Sequence, residues 1–434
     1  MCYVYDATSM RQGLLQLICA IAVIATGICS AQSADLRSKV HDALEMARPA
    51  LTAHLKAAAK GATRTGELSL LVLAGIHDGI PVTDPALAAA IKKLAKGKPN
   101  QTYDIALRLI VLEACPTFPK RMELAKNDTK KLLTHRCDEG TFQYQRHPAT
   151  WDLSNTQYGA LGLRSAGAMG IKIPKQVWTH MAREVGKQQD PHGGFGYTRQ
   201  NNGWKSYPSM TAAGIAVLAI CKQALGDNYV RADAIQKQID LGWSYLDKHK
   251  QSIGSVDERW CYYFHYGLER AAILCDVDKI AGKTDWYAEG ARMFVEEQLS
   301  GGGWSSRKDG LPGTHLSGKR GDSVPTSFAI LFLRRKFQKI VGPLTVNIVR
   351  LVNIGPRSKQ KSIDECARQL VKRGKDAMSD VLDALRSDVV PQRQAAAQAL
   401  QGIVGEVFGY DASKDREANA KAVNKATHWY MRNR

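Results

Sequence analysis

Gln298-Leu-Ser-Gly-Gly302-Gly-Trp304 decides the fold, because its pattern, QxxxGxW, recurs along the chain. Gln189-Asp-Pro-His-Gly193-Gly-Phe195 repeats it with phenylalanine for tryptophan, and Arg136-Cys-Asp-Glu-Gly140-Thr-Phe142 is a looser third copy. Each turn follows a stretch whose apolar residues have helical spacing. Val177, Trp178, Met181 and Val185 form one stripe, opposite His180, Arg183, Glu184 and Lys187. Tyr287, Ala291, Phe294 and Val295 form another. The glycines end these helices, since glycine accepts the positive φ that a chain reversal needs.

A second helical stretch follows each turn. Its starts read Asn155-Thr-Gln-Tyr-Gly-Ala-Leu, Met210-Thr-Ala-Ala-Gly-Ile-Ala and Pro325-Thr-Ser-Phe-Ala-Ile-Leu. Phe264-His-Tyr-Gly-Leu is a further copy without a glycine-rich turn before it. Aligning Gly159, Gly214, Gly267 and Ala329 gives separations of 55, 53 and 62 residues. Thr102-Tyr-Asp-Ile-Ala-Leu continues the register upstream, and Thr65-Gly-Glu-Leu-Ser-Leu reads as an irregular first copy. A period of this length over residues 64–337 means stacked helix pairs, each covering its neighbours' apolar faces. The second helices are the more apolar and small-residue-rich. They are expected to form the inner layer of a two-layer, all-α helical ring.

The QxxxGxW turn between paired helices resembles the repeat of terpenoid cyclases and protein prenyltransferase β subunits. The stretch YGLERAAILCDVDKIAGKTDWYAEGARMFVEEQLSGGGW (266–304) resembles bacterial, notably planctomycete, proteins with prenyltransferase and squalene-oxidase-type repeats. The resemblance implies an α/α toroid over residues 34–337, whose inner helices surround an apolar cavity. It leaves the reaction open, because one fold hosts many functions.

Squalene-hopene-type cyclases place a DxDDT acid motif at the start of an inner helix. Read through the shared threonine, this chain has Asp152-Leu-Ser154-Asn155 before Thr156, and Asp322-Ser-Val324-Pro325 before Thr326. The first acid stands in both, and the next two are missing. Protonation of an alkene needs such an acid, so cationic cyclisation is not expected. Protein prenyltransferases bind zinc through Asp, Cys and His. Asp257, Cys261 and His265 are spaced i, i+4, i+8. On a helix the outer pair would lie about 12 Å apart, too far for one tetrahedral ion, so no metal is expected. The glycine runs at 193–196 and 301–303 lack a P-loop ending, and no nucleotide or other cofactor is expected.

The dense aromatic run Trp260, Tyr262, Tyr263, Phe264, Tyr266 either lines a cavity or fills the space between layers. Two functional readings follow. The first is a noncatalytic binding or scaffold protein for an apolar small molecule or a protein partner, with Tyr207, Trp260, Tyr262 and Tyr263 as ligand-binding candidates. The alternative is an enzyme acting on an isoprenoid or other lipid, with Asp152, Asn155, Asp322 and His265 as catalytic candidates.

The formal net charge of +19 permits contact with an anionic membrane surface. Leu14 to Ile28, LLQLICAIAVIATGI, follows Arg11 and precedes Ser30, Ala31 and Ser33, the pattern of a signal peptide over residues 1–33. Asp6 is odd in such a leader, and translation from Met10 would give a more ordinary one. The expected location is extracytoplasmic, with an uncleaved membrane anchor as the alternative; nucleic acid is not expected as a partner. Cys115 and Cys137 could pair in an oxidising compartment, whereas Cys221 and Cys275 read as core residues. Residues 338–361 read as a linker. Residues 362–434 resemble a HEAT-like helical module, with Leu382, Leu385, Ala396, Ala399, Leu400 and Val404 as its shared core and Pro391 in the first turn of a helix.

Overall fold

A computed structural model describes residues 35–198, 205–258, 260–305, 320–335, 354–356, 358–415 and 417–432. The proposed leader and most of the proposed linker lie outside these residues. Twelve α-helices form the first unit among the described residues. They are α1 (35–60), α2 (Thr65–His77), α3 (Pro85–Lys96), α4 (Thr102–Ala114), α5 (Arg121–Thr134), α6 (Leu153–Ala168), α7 (Lys175–Gly186), α8 (Pro208–Leu225), α9 (Ala232–Lys248), α10 (Cys261–Cys275), α11 (Trp286–Glu296) and α12 (Ser323–Arg334). No strand occurs among the described residues; isolated bridges pair Arg136 with Phe142 and Ile280 with Thr284.

The even-numbered helices pack one against the next, and α12 packs back against α2. That last contact closes an α/α toroid of six helix pairs. The layers follow from composition. Every residue of α6 is buried, which is how a helix behaves when other helices surround it. Outer α7 buries only Val177, Trp178, Met181, Ala182, Glu184 and Val185, one amphipathic face. Small residues let inner helices approach closely: a Cβ on Gly162 would lie 2.8 Å from the Ala106 backbone.

Closure has its own polar fasteners. Asp78, just after α2, accepts hydrogen bonds from Arg48 Nε of α1 and Arg334 Nε of α12, both at 2.9 Å. Ser323 Oγ donates to Glu67 Oε1 at 2.6 Å. Gln298 Nε2, after α11, donates to the Ala43 carbonyl of α1 at 2.8 Å.

A second core belongs to α13 (Gln360–Arg373), α14 (Met378–Ala384), α15 (Val390–Val404) and α16 (Ala420–Arg432). Leu382, Leu385, Ala396, Ala399 and Leu400 are buried in it, while Val404 is only half-buried. Pro391 sits in the first turn of α15, where its missing N–H costs nothing. Ile354, inside the stretch read as linker, packs in this core, and its carbonyl accepts from Gln392 Nε2 at 2.9 Å. Cys115 and Cys137 are both unbridged, with the Cys137 thiol 2.9 Å from Thr141 Oγ1.

Candidate functional site

The repeated turns set the geometry of one rim of the ring. Gly140, Gly193 and Gly302 have φ of 93°, 92° and 89°. The aromatic residue two positions on donates its backbone N–H to a threonine hydroxyl of the following inner helix. The distances are 3.1 Å for Phe142 to Thr156, 3.1 Å for Phe195 to Thr211 and 3.0 Å for Trp304 to Thr326. The carbonyls of the same aromatics accept from Asp152, Tyr207 and Asp322 at 3.1, 3.1 and 2.7 Å. Three candidate residues are therefore one repeated position, the residue that caps an inner helix at its N-terminus. Trp260 holds the same place before α10, with a left-handed φ of 62°.

The turn before α10 is present after all, reduced to one glycine. Gly254 has φ of 75°, and its N–H donates to His265 Nε2 at 3.0 Å. His265 thus takes the threonine's role from one residue further along, since the position four beyond the capping residue is Phe264 here. The copy keeps the register set on Gly267, which stands seven residues beyond the capping residue as Gly159, Gly214 and Ala329 do. Gly267 faces Gln157 of α6: a Cβ there would lie 3.3 Å from Gln157 Nε2. His265 Nδ1 lies 2.8 Å from the Cys261 carbonyl. With Nε2 accepting, Nδ1 must carry the proton and donate. Both ring nitrogens are engaged in a fully buried neutral imidazole, and burial holds its pKa down at about 4.

The three residues read as possible metal ligands diverge. Helix α10 begins at Cys261, so Asp257 is not on it and lies in an exposed loop segment. The Cys261 thiol contacts Met293 Sδ of α11 at 3.9 Å. The expectation that all three share a helix face fails because Trp260 starts the helix three residues after Asp257.

Asp152 is fully buried. Its Oδ1 accepts from Asn155 N at 2.8 Å and Ser154 Oγ at 2.9 Å, and its Oδ2 from Asn155 Nδ2 at 2.8 Å. Burial raises its pKa above the usual carboxylate range, against the opposing pull of these hydrogen bonds. Asp322 makes no such cap; its Oδ2 accepts from Ser305 Oγ at 2.7 Å. Asp152 and Asn155 therefore interlock within one helical turn.

Around this point runs a track of tyrosines that crosses several repeats. Tyr144 and Tyr197 are 45% and 36% exposed, with hydroxyls 3.5 Å apart. Tyr144 packs on Tyr103 of α4, ring centroids 5.9 Å apart, and Tyr103 on Tyr158 of α6 at 4.4 Å. Tyr158 meets Tyr263 and Tyr266 of α10 at 6.3 and 6.5 Å. Tyr263 donates its hydroxyl to Gln157 Oε1 at 2.6 Å, and Tyr266 packs on Phe328 of α12 at 4.9 Å. Side chains of α6 and α10 thus meet across the ring, and these aromatic residues lie toward its centre. Below them Arg270 stacks over Tyr266 at 4.0 Å and pairs with buried Glu269.

Tyr103 and Tyr263 retain accessible surface although protein surrounds each ring, the combination expected of side chains facing a recess. Burial pushes the phenols of Tyr103, Tyr158 and Tyr263 well above their ordinary range. Gln157 Nε2 and Asn155 Oδ1 are buried without a hydrogen-bond partner. Of the aromatic run, Tyr263 and Tyr266 face the centre. Tyr262 turns outward onto Phe294 of α11 at 5.6 Å and donates to the Ser305 carbonyl. Tyr103, Tyr144, Tyr158 and Tyr197 were absent from the sequence candidates. The available signal was that tyrosines recur within a few residues of the inner-helix starts.

No family model and no curated protein matches this chain. Among solved structures, a type II terpene cyclase from Scytonema, in complex with geranylgeranyl dihydroxybenzoate, is similar over 69% of this chain and 98% of its own, at 12% identity and a TM-score of 0.45. A possible GH105 family member from Salmonella enterica serovar Paratyphi A is similar over 69% of this chain and 93% of its own, at 12% identity and a TM-score of 0.47. One from Klebsiella pneumoniae gives the same coverage and identity at a TM-score of 0.46. The packing of α12 on α2 defines the ring independently of these likenesses.

Proposed function

We propose that this chain is an exported, noncatalytic binding protein whose tyrosine-lined mouth receives a segment of a protein partner. The supporting observation is the tyrosine track, which runs from exposed Tyr144 and Tyr197 to buried Tyr158. Tyrosine offers a large, stiff contact area with a polar tip, the chemistry of interface hot spots. Partnerless Gln157 Nε2 and Asn155 Oδ1 would suit the donors and acceptors of a peptide.

Two local arrangements support the noncatalytic reading. Asp152 is occupied as a helix cap, and His265 has both nitrogens engaged. On this reading the C-terminal unit is a HEAT-like module that adds a second protein-binding surface.

A peptide-display library selected on the wild-type protein and counter-screened on Tyr144→Ala/Tyr197→Ala tests the proposal. Selected peptides are expected to lose about tenfold or more in affinity on the variant, as hot-spot truncation does. A stoichiometric hydrophobic molecule recovered by organic extraction and mass spectrometry would instead support the lipid-modifying alternative.

A further inference from the structure

Exposed lysines are unevenly distributed around the ring. Lys56 and Lys60 end α1, Lys92 and Lys96 end α3, and Lys126 and Lys130 lie on the last three turns of α5, all exposed. A spacing of four puts both ammonium groups of each pair on one helix face, where they repel. The three helix ends are neighbours: Lys93 Nζ donates to the Ala58 carbonyl at 2.5 Å, and Lys131 Nζ to the Pro99 carbonyl at 2.7 Å. Exposed Arg64 and Lys98 extend the arc. Among the described residues, no carboxylate forms an ion pair with any of the six lysines. The exposed acids Asp35 and Asp42 of α1 and Glu123 of α5 lie toward the opposite ends of those helices, and Glu45, nearer the middle of α1, pairs with Arg48 at 3.2 Å. Asp138, the next exposed acid beyond α5, is 3.7 Å from Arg146.

Complementing the helix dipole does not account for this arc, since the dipole acts equally at every outer helix end. Elsewhere the same turns hold at least one acid among their charged residues. Buried Glu184 lies between Arg183 and Lys187, at 2.7 and 3.0 Å. Asp247 precedes Lys248 at the end of α9, and α11 runs into Glu296 and Glu297. The arc lies on the rim of inner-helix N-termini, where Tyr144 and Tyr197 are also exposed.

We infer that this rim docks on an anionic lipid bilayer, with the lysine arc over the head groups and Tyr144 and Tyr197 at the interfacial level. Lysines on flexible stems, without a buried arginine fork, fit a diffuse surface charge better than a single phosphate. Tyrosine belongs at the head-group level, apolar on one side and wet on the other. The mouth of the ring then opens toward the membrane. The two readings share Tyr144 and Tyr197, so the test reverses lysines only and leaves both tyrosines in place.

Co-sedimentation of the purified protein with vesicles of phosphatidylcholine containing about 30% phosphatidylglycerol tests it, at about 0.1 M and about 0.5 M salt. Each lysine near such a surface is worth about fivefold in binding. The quadruple variant Lys92→Glu, Lys96→Glu, Lys126→Glu, Lys130→Glu is expected to lose at least about a hundredfold, and the higher salt to weaken the wild type by a similar route. Lys279→Glu/Lys283→Glu, on the opposite rim, is expected to bind within about twofold of wild type, its charges lying beyond the reach of the surface potential. Equal binding to pure phosphatidylcholine, insensitivity to the four reversals, or equal loss in the opposite-rim variant would overturn the inference. Binding to soluble polyglutamate without binding to vesicles would also overturn it, in favour of an acidic polymer.

Discussion

The turns before α6, α8 and α12 are fastened by threonine, and the turn before α10 by histidine. In the threonine copies an aromatic side chain from the turn fills the gap between layers, and the inner helix makes room for it. A Cβ on Gly159 would come within 2.5 Å of Phe142, and one on Gly214 within 2.7 Å of Phe195. In the histidine copy the turn offers no aromatic. The imidazole fills the gap itself, 5.5 Å from Phe294 and 5.7 Å from Phe332. The ring requires a buried acceptor and a filled gap at this place, and two chemistries supply them. Only one of the two titrates.

The glycine shared by both kinds of turn should give the largest effect. Gly302→Ala would put a methyl 2.0 Å from the Met46 carbonyl at a φ of 89°, and Gly254→Ala one 2.9 Å from the Glu289 carbonyl at a φ of 75°. Urea unfolding should show a loss of about 4 kcal/mol or more for Gly302→Ala, with Gly254→Ala second. Gly79→Ala, at a φ of 80° with open space around it, should cost only about 1 kcal/mol. Similar losses at Gly302 and Gly79 would mean that turn conformation, and not contact between layers, sets the requirement.

Acid should then separate the histidine clasp from the others. The His265 pKa is held at about 4 in the fold by burial. In the unfolded chain histidine titrates near about 6.5, so protons bind the unfolded state preferentially. The contribution is complete above about pH 6.5 and is lost as pH falls toward about 4, by about 3 kcal/mol at the lower limit. His265→Gln keeps an acceptor for Gly254 and should flatten that part of the stability profile relative to wild type. A parallel profile would show that the clasp does not titrate with the fold.

A smaller effect is expected at a threonine clasp. Thr211→Val leaves the Phe195 N–H buried without an acceptor and should cost about 2 kcal/mol at any pH, while Thr211→Ser should retain most of the stability. The smallest stability change belongs to the mouth. Tyr144→Ala, at an exposed position, should shift unfolding by about 0.5 kcal/mol or less while still weakening partner binding.

The glycine turns, the threonines and the layer order were legible in sequence because each is a short-range pattern repeated in register. The alignment on Gly267 keeps the α10 copy in register, but it does not reveal that the threonine's task passes to His265, one residue beyond the threonine position. Its turn was overlooked because Gly254 stands alone, with no aromatic two positions on. The Asp257, Cys261 and His265 spacing suggested one helix face, but helix α10 starts only at Cys261. Of the tyrosine track only Tyr263 was legible as a candidate. Tyr144 and Tyr197 lie in loops; they meet each other, and Tyr144 meets Tyr103, only because the ring brings neighbouring repeats together.

The clamp of Asp78 by Arg48 and Arg334 bears on how such a ring can assemble. An open stack of helix pairs can nucleate anywhere and lengthen one repeat at a time. Here Ser323 and Glu67, like Arg334 and Asp78, are 256 residues apart in sequence. Closing a loop of that length costs about 5 kcal/mol in chain entropy before any closing contact forms. The last step is therefore expected to be slow and all-or-none, leaving the facing surfaces of α2 and α12 exposed in an unclosed intermediate, and a chain truncated before α12 should accumulate as such a species.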